Sequence, residues 1–339
     1  MILFKNGDKF EGIRDQNSNK LNGSGTIKFN DSNSFYKGKF FNGKFHGEGQ
    51  LSINKVSLIG NWINGQPDLK SEWKIEGPNY QYKGSINEEF KKDGYGTLIF
   101  DGNSFYKGEF IVDKYQGQGH LKTNQLEYKG EFYNSKFNGK GQLIWQNSKY
   151  EGNFEMGQFN GKGKLENIEG TYIGEFQNNQ KYGEGVLQYK NGDSYEGQWL
   201  EDEPEGKGKL IQWNKKFGCQ LIYNGFFEKG CPEGKGELQI ITEGQDMKKY
   251  QGSFNEGLFN GEGVISLDSN VKVEGQFFDN HISGECNIYF QKENQKLECQ
   301  MKRNQKEGVC SMKIKDICYQ GNFKSNIEKV DSIKFYSNY

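Results

Sequence analysis

Along this chain the apolar positions fall into one recurring arrangement. In "YKGEFYNSKFNGKGQL", residues 128–143, Tyr128 and Phe132 flank Gly130 at alternate positions, with Lys129 and Glu131 between them. Twenty-two residues later the chain reads "YEGNFEMGQFNGKGKL". Strict alternation marks a β-strand with one buried and one wet face. In "GYGTLIFDGNSFYKGEF" two such arms are joined by "DGNS", and "NGDS" at residues 191–194 repeats the joint. Asn-Gly and Asp-Gly favour the left-handed backbone that tight hairpin turns need. The pattern predicts a hairpin with Leu98 and Phe100 on the buried face of one arm and Tyr106, Gly108 and Phe110 on that of the other. Lys107 and Glu109 then point into water.

The phrase opens at Phe10, Tyr36, Leu58, Tyr82, Tyr106, Tyr128, Tyr150, Tyr172, Tyr195, Tyr223, Tyr250, Val273, Leu297 and Tyr319. Its steps run from 22 to 28 residues, and Gly-x-Gly-x-Leu follows most copies. A fixed period of this size marks stacked units, because a lone hairpin is not stable. A glycine between Tyr and Phe leaves room for neighbouring rings to lean over the backbone, and glycine inside a strand permits bends and bulges. Aromatic stacking between repeats has to offset its cost. Two strands per repeat at roughly 4.8 Å predict a curved rod about 125 Å long for about thirteen repeats.

Composition agrees with this picture and narrows it. Apolar residues are 33%, aromatics 15%, Gly 47 and Pro 4 of 339 residues, so Phe and Tyr must carry the burial. The formal net charge of -1 gives no sign of the basic excess a nucleic-acid binder shows. The opening "MILFKNGDKFEG" lacks the apolar core of a secretory signal, and no run is long enough to span a membrane as a helix. The chain is therefore expected to be soluble and cytoplasmic. No CxxC pair exists among Cys219, Cys231, Cys286, Cys299, Cys310 and Cys318, and His46, His120 and His281 lie far apart, so no metal site is expected. Cys286 and Cys310 occupy equivalent positions one repeat apart, too far for a disulfide.

Chemistry fares poorly against architecture. "GQGHL" and "GKGKL" do not fit the phosphate-loop pattern, lead into strands and recur in every repeat, whereas a nucleotide site would occur once. Carboxylates show no preferred pair, and a nucleophile–His–Asp set has no support. No catalytic residue, cofactor or metal is expected, and the chain reads as not an enzyme. The solvent face changes along the chain: Lys37, Lys83, Lys107 and Lys129 follow the early anchors, and Glu151, Glu196, Glu274 and Glu298 follow later ones. Nearby opposite charges make this row read as a solvated face rather than a charged track.

The repeated YxGxF…GxGxL phrase resembles the MORN (membrane occupation and recognition nexus) repeat family across essentially the whole chain. The resemblance implies an all-β fold, an elongated single antiparallel sheet of about 13–14 stacked hairpins forming a curved rod. Residues 1–325 are expected to be one continuous array, degenerate near 58–80 and 273–325, with 326–339 a cap or tail. Lipid kinase or methyltransferase domains accompany such repeats in some family members, and no segment of this sequence reads as one. Family resemblance further implies an aromatic face that accepts a partner segment, formed here by Tyr106, Phe110, Tyr128, Phe132, Tyr150, Phe154, Tyr172 and Phe176. Trp73, in the stretch that breaks the phrase, joins them as a candidate contact. The function this implies is a scaffold binding other protein subunits of a large assembly, with self-association also open. Repeat-only chains of this kind resemble radial spoke head and other axonemal proteins, which points to the ciliary cytoskeleton. Abundant Asn, Lys and Gln fit an AT-rich genome such as a ciliated protist's. The alternative is a membrane-apposed linker for acidic phospholipid, disfavoured by the near-neutral charge.

Overall fold

The computed structural model describes residues 2–324, except 17, 19, 31, 32, 246, 304, 315 and 316, and side chains as far as 303. The proposed tail 326–339 and the side chain of Cys310 lie outside that range. The chain divides into two compact units, Met1–Gly161 and Lys162–Tyr339. Among the described residues every regular element is a β-strand.

Within each unit the strands run as an antiparallel meander, each paired to its neighbours in the chain. The predicted hairpin is present: Lys92–Phe100 pairs with Ser104–Ile111, with Leu98 opposite Tyr106 and Gly96 opposite Gly108. Tyr106 and Phe110 are buried, and Lys107 and Glu109 are exposed. The longer steps near Leu210 and Leu238 produce longer arms, Glu203–Asn214, Cys219–Glu228 and Cys231–Thr242.

The tightest turns lie at the other end of the strands from "DGNS". The connections 15–20 and 87–91 are longer, but two-residue turns with both φ values positive join most aromatic strands to the GxG strand after them. Examples are Val112-Asp113 (46° and 66°), Asn134-Ser135 (52° and 63°) and Glu201-Asp202 (51° and 71°). This is the type I′ geometry that matches strand twist. Glu, Lys, Val and Met are unusual there, and a tie to the preceding hairpin holds them. The N–H of Ser135 donates to the carbonyl of Tyr115 at 2.9 Å, Gly157 to Phe137 at 2.8 Å, and Gly230 to Pro204 at 2.9 Å. In several repeats the residue before the first Gly of GxG adds a second bond. The N–H of Val112 donates to Asp93, Asn134 to Gln116, Met156 to Asn138 and Lys229 to Glu205. Asn138→Ala leaves the Met156 N–H to water; we expect a loss of about 1 kcal/mol, read as a lower chemical-denaturation midpoint.

Each GxG strand also carries two extra residues against the aromatic strand before it. Gly130 faces Gly141 and Phe132 faces Phe137, so two residues on one strand oppose four on the other. This bulge bends the strand. Its first glycine has positive φ, +57° at Gly117 and +62° at Gly139, where a side chain would be strained.

The aromatic column and the exposed rim

The tyrosine of each repeat is the center of the packing. Tyr128 is fully buried and lies over two glycines, Gly130 on its own strand and Gly141 on the next. A Cβ at Gly141 would come 2.6 Å from Cε2 and Cζ of that ring, so glycine is required there for space. Its hydroxyl donates to the carbonyl of Glu131 at 2.9 Å. The bulge interrupts the ladder beside that residue, and a buried backbone acceptor needs a donor. The same i to i+3 bond recurs from Tyr36, Tyr82, Tyr106, Tyr150, Tyr172, Tyr195, Tyr223 and Tyr250. Phe could fill the volume but could not supply the hydroxyl, which explains the preference for Tyr.

Around the ring, Phe137 stacks at 3.9 Å, Phe132 meets it edge-on at 5.0 Å, and Phe154 of the following repeat edge-on at 5.2 Å. Edge-to-face and offset pairs each add to area burial. The stacked partner, nine residues after the anchor, escaped the sequence reading. It is Phe45, Tyr115, Phe137, Phe159 and Phe259 in five repeats. Its signal was the aromatic two residues before GxG. After Tyr172 the same position holds Lys181, whose ammonium sits 5.9 Å from the Tyr172 ring and 5.1 Å from that of Trp199.

The structure therefore gathers the aromatic candidates into one internal column in each unit. Tyr106, Tyr128 and Tyr150 are 0% exposed, and Phe110, Phe132, Phe154, Tyr172 and Phe176 are at most 4% exposed. Trp73 is also 0% exposed. It stands in strand Trp73–Glu76, which pairs with Val56–Ile63 on one side and Tyr80–Ile86 on the other. The anchor there is Leu58 rather than Tyr. The Trp73 ring covers Gly60 in its place, with its indole N–H donating to the Asp68 carbonyl at 3.0 Å. The irregular stretch is thus a repacked repeat.

Burial raises the tyrosine pKa values, since a phenolate would lose its water: Tyr36 and Tyr150 are pushed up to about 12 from 10.0. Desolvation raises Tyr82, Tyr106, Tyr128, Tyr172, Tyr195 and Tyr250 further. The unfolded chain releases these protons near pH 10 and the folded chain only higher. Stability from this source is complete below pH 10 and drains away as pH rises toward 12 and beyond. We expect strand circular dichroism to collapse in that window together with the phenolate absorbance rise. Tyrosine ionisation without loss of strand signal would contradict the burial.

The outward charge row is neutralised locally. Lys129 pairs with Glu127 at 2.9 Å, Lys83 with Glu72 at 2.9 Å, Glu274 with Lys272 at 2.9 Å and Glu298 with Lys296 at 2.7 Å. The hydrogen bond from Lys129 is the main reason the Glu127 carboxyl lies below its ordinary range. Exposed pairs of this kind contribute little stability.

Some of the apolar side chains that the units leave exposed lie beside the two-residue turns. In the first unit Phe41, Ile63, Ile111 and Tyr133, each the last residue before such a turn, are about half exposed. Their cross-strand partners are Lys44, Gln66, Lys114 and Lys136. The fifth such position of the first unit is Glu155, and those of the second unit are Gln177, Leu200, Glu228, Asn255 and Phe278, a mixed and partly acidic set. Among the described residues no three or more His, Cys, Asp or Glu side chains converge as metal ligands.

The family profile described as MORN repeat matches residues 36–53, 128–149, 150–170, 172–194, 195–211 and 250–270. The chain is also similar to Alsin of Pan troglodytes and Alsin of Homo sapiens, 35% identical over 88 residues in each case. That alignment covers 26% of this chain and 5% of the relative, so the chain spans about one-twentieth of the curated proteins it matches. Each matched segment carries the tyrosine, glycine and turn geometry described above. Six segments of the chain, lying in both of its units, match the MORN repeat.

Proposed function

We propose that this chain is a non-catalytic scaffold that binds protein subunits of a larger assembly along its exposed rim. The observation that carries the reading is the division of labor between rings. The column is occupied by the chain's own packing, whereas Phe41, Ile63, Ile111 and Tyr133 stay about half exposed at the rim. Half-exposed apolar residues set among polar ones suit an extended or helical partner segment. Ile111→Glu with Tyr133→Glu leaves the column intact. Affinity purification from the native cell with this variant beside the unaltered chain tests the reading. Loss of the same subunits from the variant supports it, and identical recovery of all of them sinks it.

The assembly we favor is an axonemal one, such as the radial spoke head of a cilium. Support comes from the resemblance of repeat-only MORN chains to axonemal proteins and from the composition. Enrichment of the chain in purified axonemes is the expected result, and its absence there removes this placement. One observation favors a second reading, a membrane-apposed linker: Lys44, Lys114 and Lys136 alternate with apolar residues along the same rim. Basic and apolar groups together suit an acidic phospholipid surface. Co-sedimentation with vesicles containing phosphatidylserine, compared with phosphatidylcholine alone at physiological salt, decides that reading.

A further inference from the structure

Two cysteines of the second unit stand where the array otherwise places glycine. Between regular repeats, glycines of adjacent strands face each other directly, Gly119 against Gly130 and Gly263 against Gly275. One repeat further on, the facing residues are Cys286 in His281–Phe290 and Cys299 in Gln295–Lys302. Both are thiols in the structure, 3% and 4% exposed.

The reason they fit is the loss of two anchors. Val273 and Leu297 replace the tyrosines whose rings would cover these positions, and side chains on the facing strands take up the space. A Cβ at Gly275 would lie 3.0 Å from that of Cys286, as expected where no ring intervenes. Trp73, whose ring covers Gly60 where the anchor is Leu58, follows the same rule with a larger group. Volume alone accounts for a side chain at each position; register decides what two thiols can do together.

Directly opposed residues of an antiparallel pair have Cα atoms about 4.5 or about 5.5 Å apart, depending on the type of pair. Both values fall within the range of about 4.4–6.8 Å that a disulfide spans. The other two cysteines with described side chains have no such neighbor, since Cys219 faces Thr242 and Cys231 faces Glu228. Cys286 and Cys299 also line a groove of about 870 Å³ on their sheet. This gives a small reagent a place to approach.

We propose that Cys286 and Cys299 form a redox site, a dithiol that a low-molecular-weight disulfide such as oxidised glutathione converts to a cross-strand disulfide. One cysteine thiolate attacks the reagent's sulfur–sulfur bond, giving a mixed disulfide and releasing one glutathione. The second thiolate then attacks the protein sulfur of that mixed disulfide and releases the other glutathione. The two cysteines lose two protons and two electrons, and the reagent gains both as two thiols. The new bond ties the two strands together in the middle, so their separation by local opening becomes rarer.

The test uses the full chain, equilibrated over a series of reduced-to-oxidised glutathione ratios and then alkylated and digested with trypsin. Cleavage after Lys292 and Lys296 places the two cysteines on different peptides, so a link between them is unambiguous. The expected product is one linked peptide pair, lighter than the sum by two hydrogens, with a reproducible midpoint. Amide exchange in the two strands should slow about ten-fold or more on oxidation. Cys310→Ser with Cys318→Ser should still form the link, and Cys299→Gly, which restores the residue of the regular repeats, should leave Cys286 open to alkylation after denaturation. The proposal is overturned if both thiols remain alkylatable at the most oxidising ratio, or if Cys299 links to Cys310 instead.

Discussion

Replacing Tyr128 and Phe132 together by alanine should unfold the middle of the first unit. Truncating one large buried aromatic costs about 3–5 kcal/mol. These two rings share an edge contact at 5.0 Å, so their losses overlap, and we expect about 6 kcal/mol for the pair. The damage should reach the following repeat through the lost Tyr128–Phe154 contact and fade beyond it, since repeats couple to nearest neighbors. Amide exchange should rise first in Leu126–Tyr133 and Lys136–Trp145, and the thermal transition should split or fall. If the middle repeats keep their thermal stability, the stacking account of the fold is wrong.

Gly141→Ala, the addition of a single methyl group, should cost about 3 kcal/mol. Gly141 has no positive φ, so alanine is conformationally acceptable and the penalty is purely one of space. The added carbon meets the Tyr128 ring, which cannot retreat because Phe137 stacks behind it and Phe132 and Phe154 hold its edges. Overpacking of a rigid core costs about 1–3 kcal/mol, at the upper end where neighbors cannot move. Gly157→Ala is the control. Its position is open, and only the strain of φ +93° remains, a cost of about 1 kcal/mol. The more searching measurement is the double variant Gly141→Ala with Tyr128→Leu. The chain already uses that solution at Leu58 with Trp73 and at Val273 with Cys286. The double variant should be more stable than the sum of the two single losses by about 2 kcal/mol. Additive losses would mean that the glycine is not there for the ring.

Much of this was legible from the sequence because period, alternation and glycine spacing all act locally. The hairpins, the buried Tyr and Phe, the exposed Lys107 and Glu109 and the strand bends follow from one short phrase. The turns beside the aromatic strands were harder to see. Val112 and Glu201 have no intrinsic preference for left-handed backbone; bonds from the neighboring hairpin hold their turns there, and a single repeat does not reveal those. The stacked aromatic at Phe137 was hidden because the bulge shifts the two-residue rhythm between Phe132 and Gly141. Trp73, in a stretch that breaks the phrase, read as a candidate contact, and Cys286 and Cys299 stand where the phrase has glycine. They are buried because an anchor ring several residues away is missing, a compensation visible only once Gly60 faces Trp73 and Gly275 faces Cys286.

The two rims of each unit also differ in what they can absorb. An extra residue in a two-residue turn would disturb both the turn and its bond to the hairpin before it, so the defect would pass to a neighbor. At the opposite rim the connections already range from two residues, 54–55, to the six between Lys28 and Phe35. Insertions, epitope tags and divergence between copies are therefore absorbed more readily on that side, while the first rim departs from two residues at 15–20 and 87–91. That side can give each hairpin its own address, while the other holds the spacing at which addresses are read.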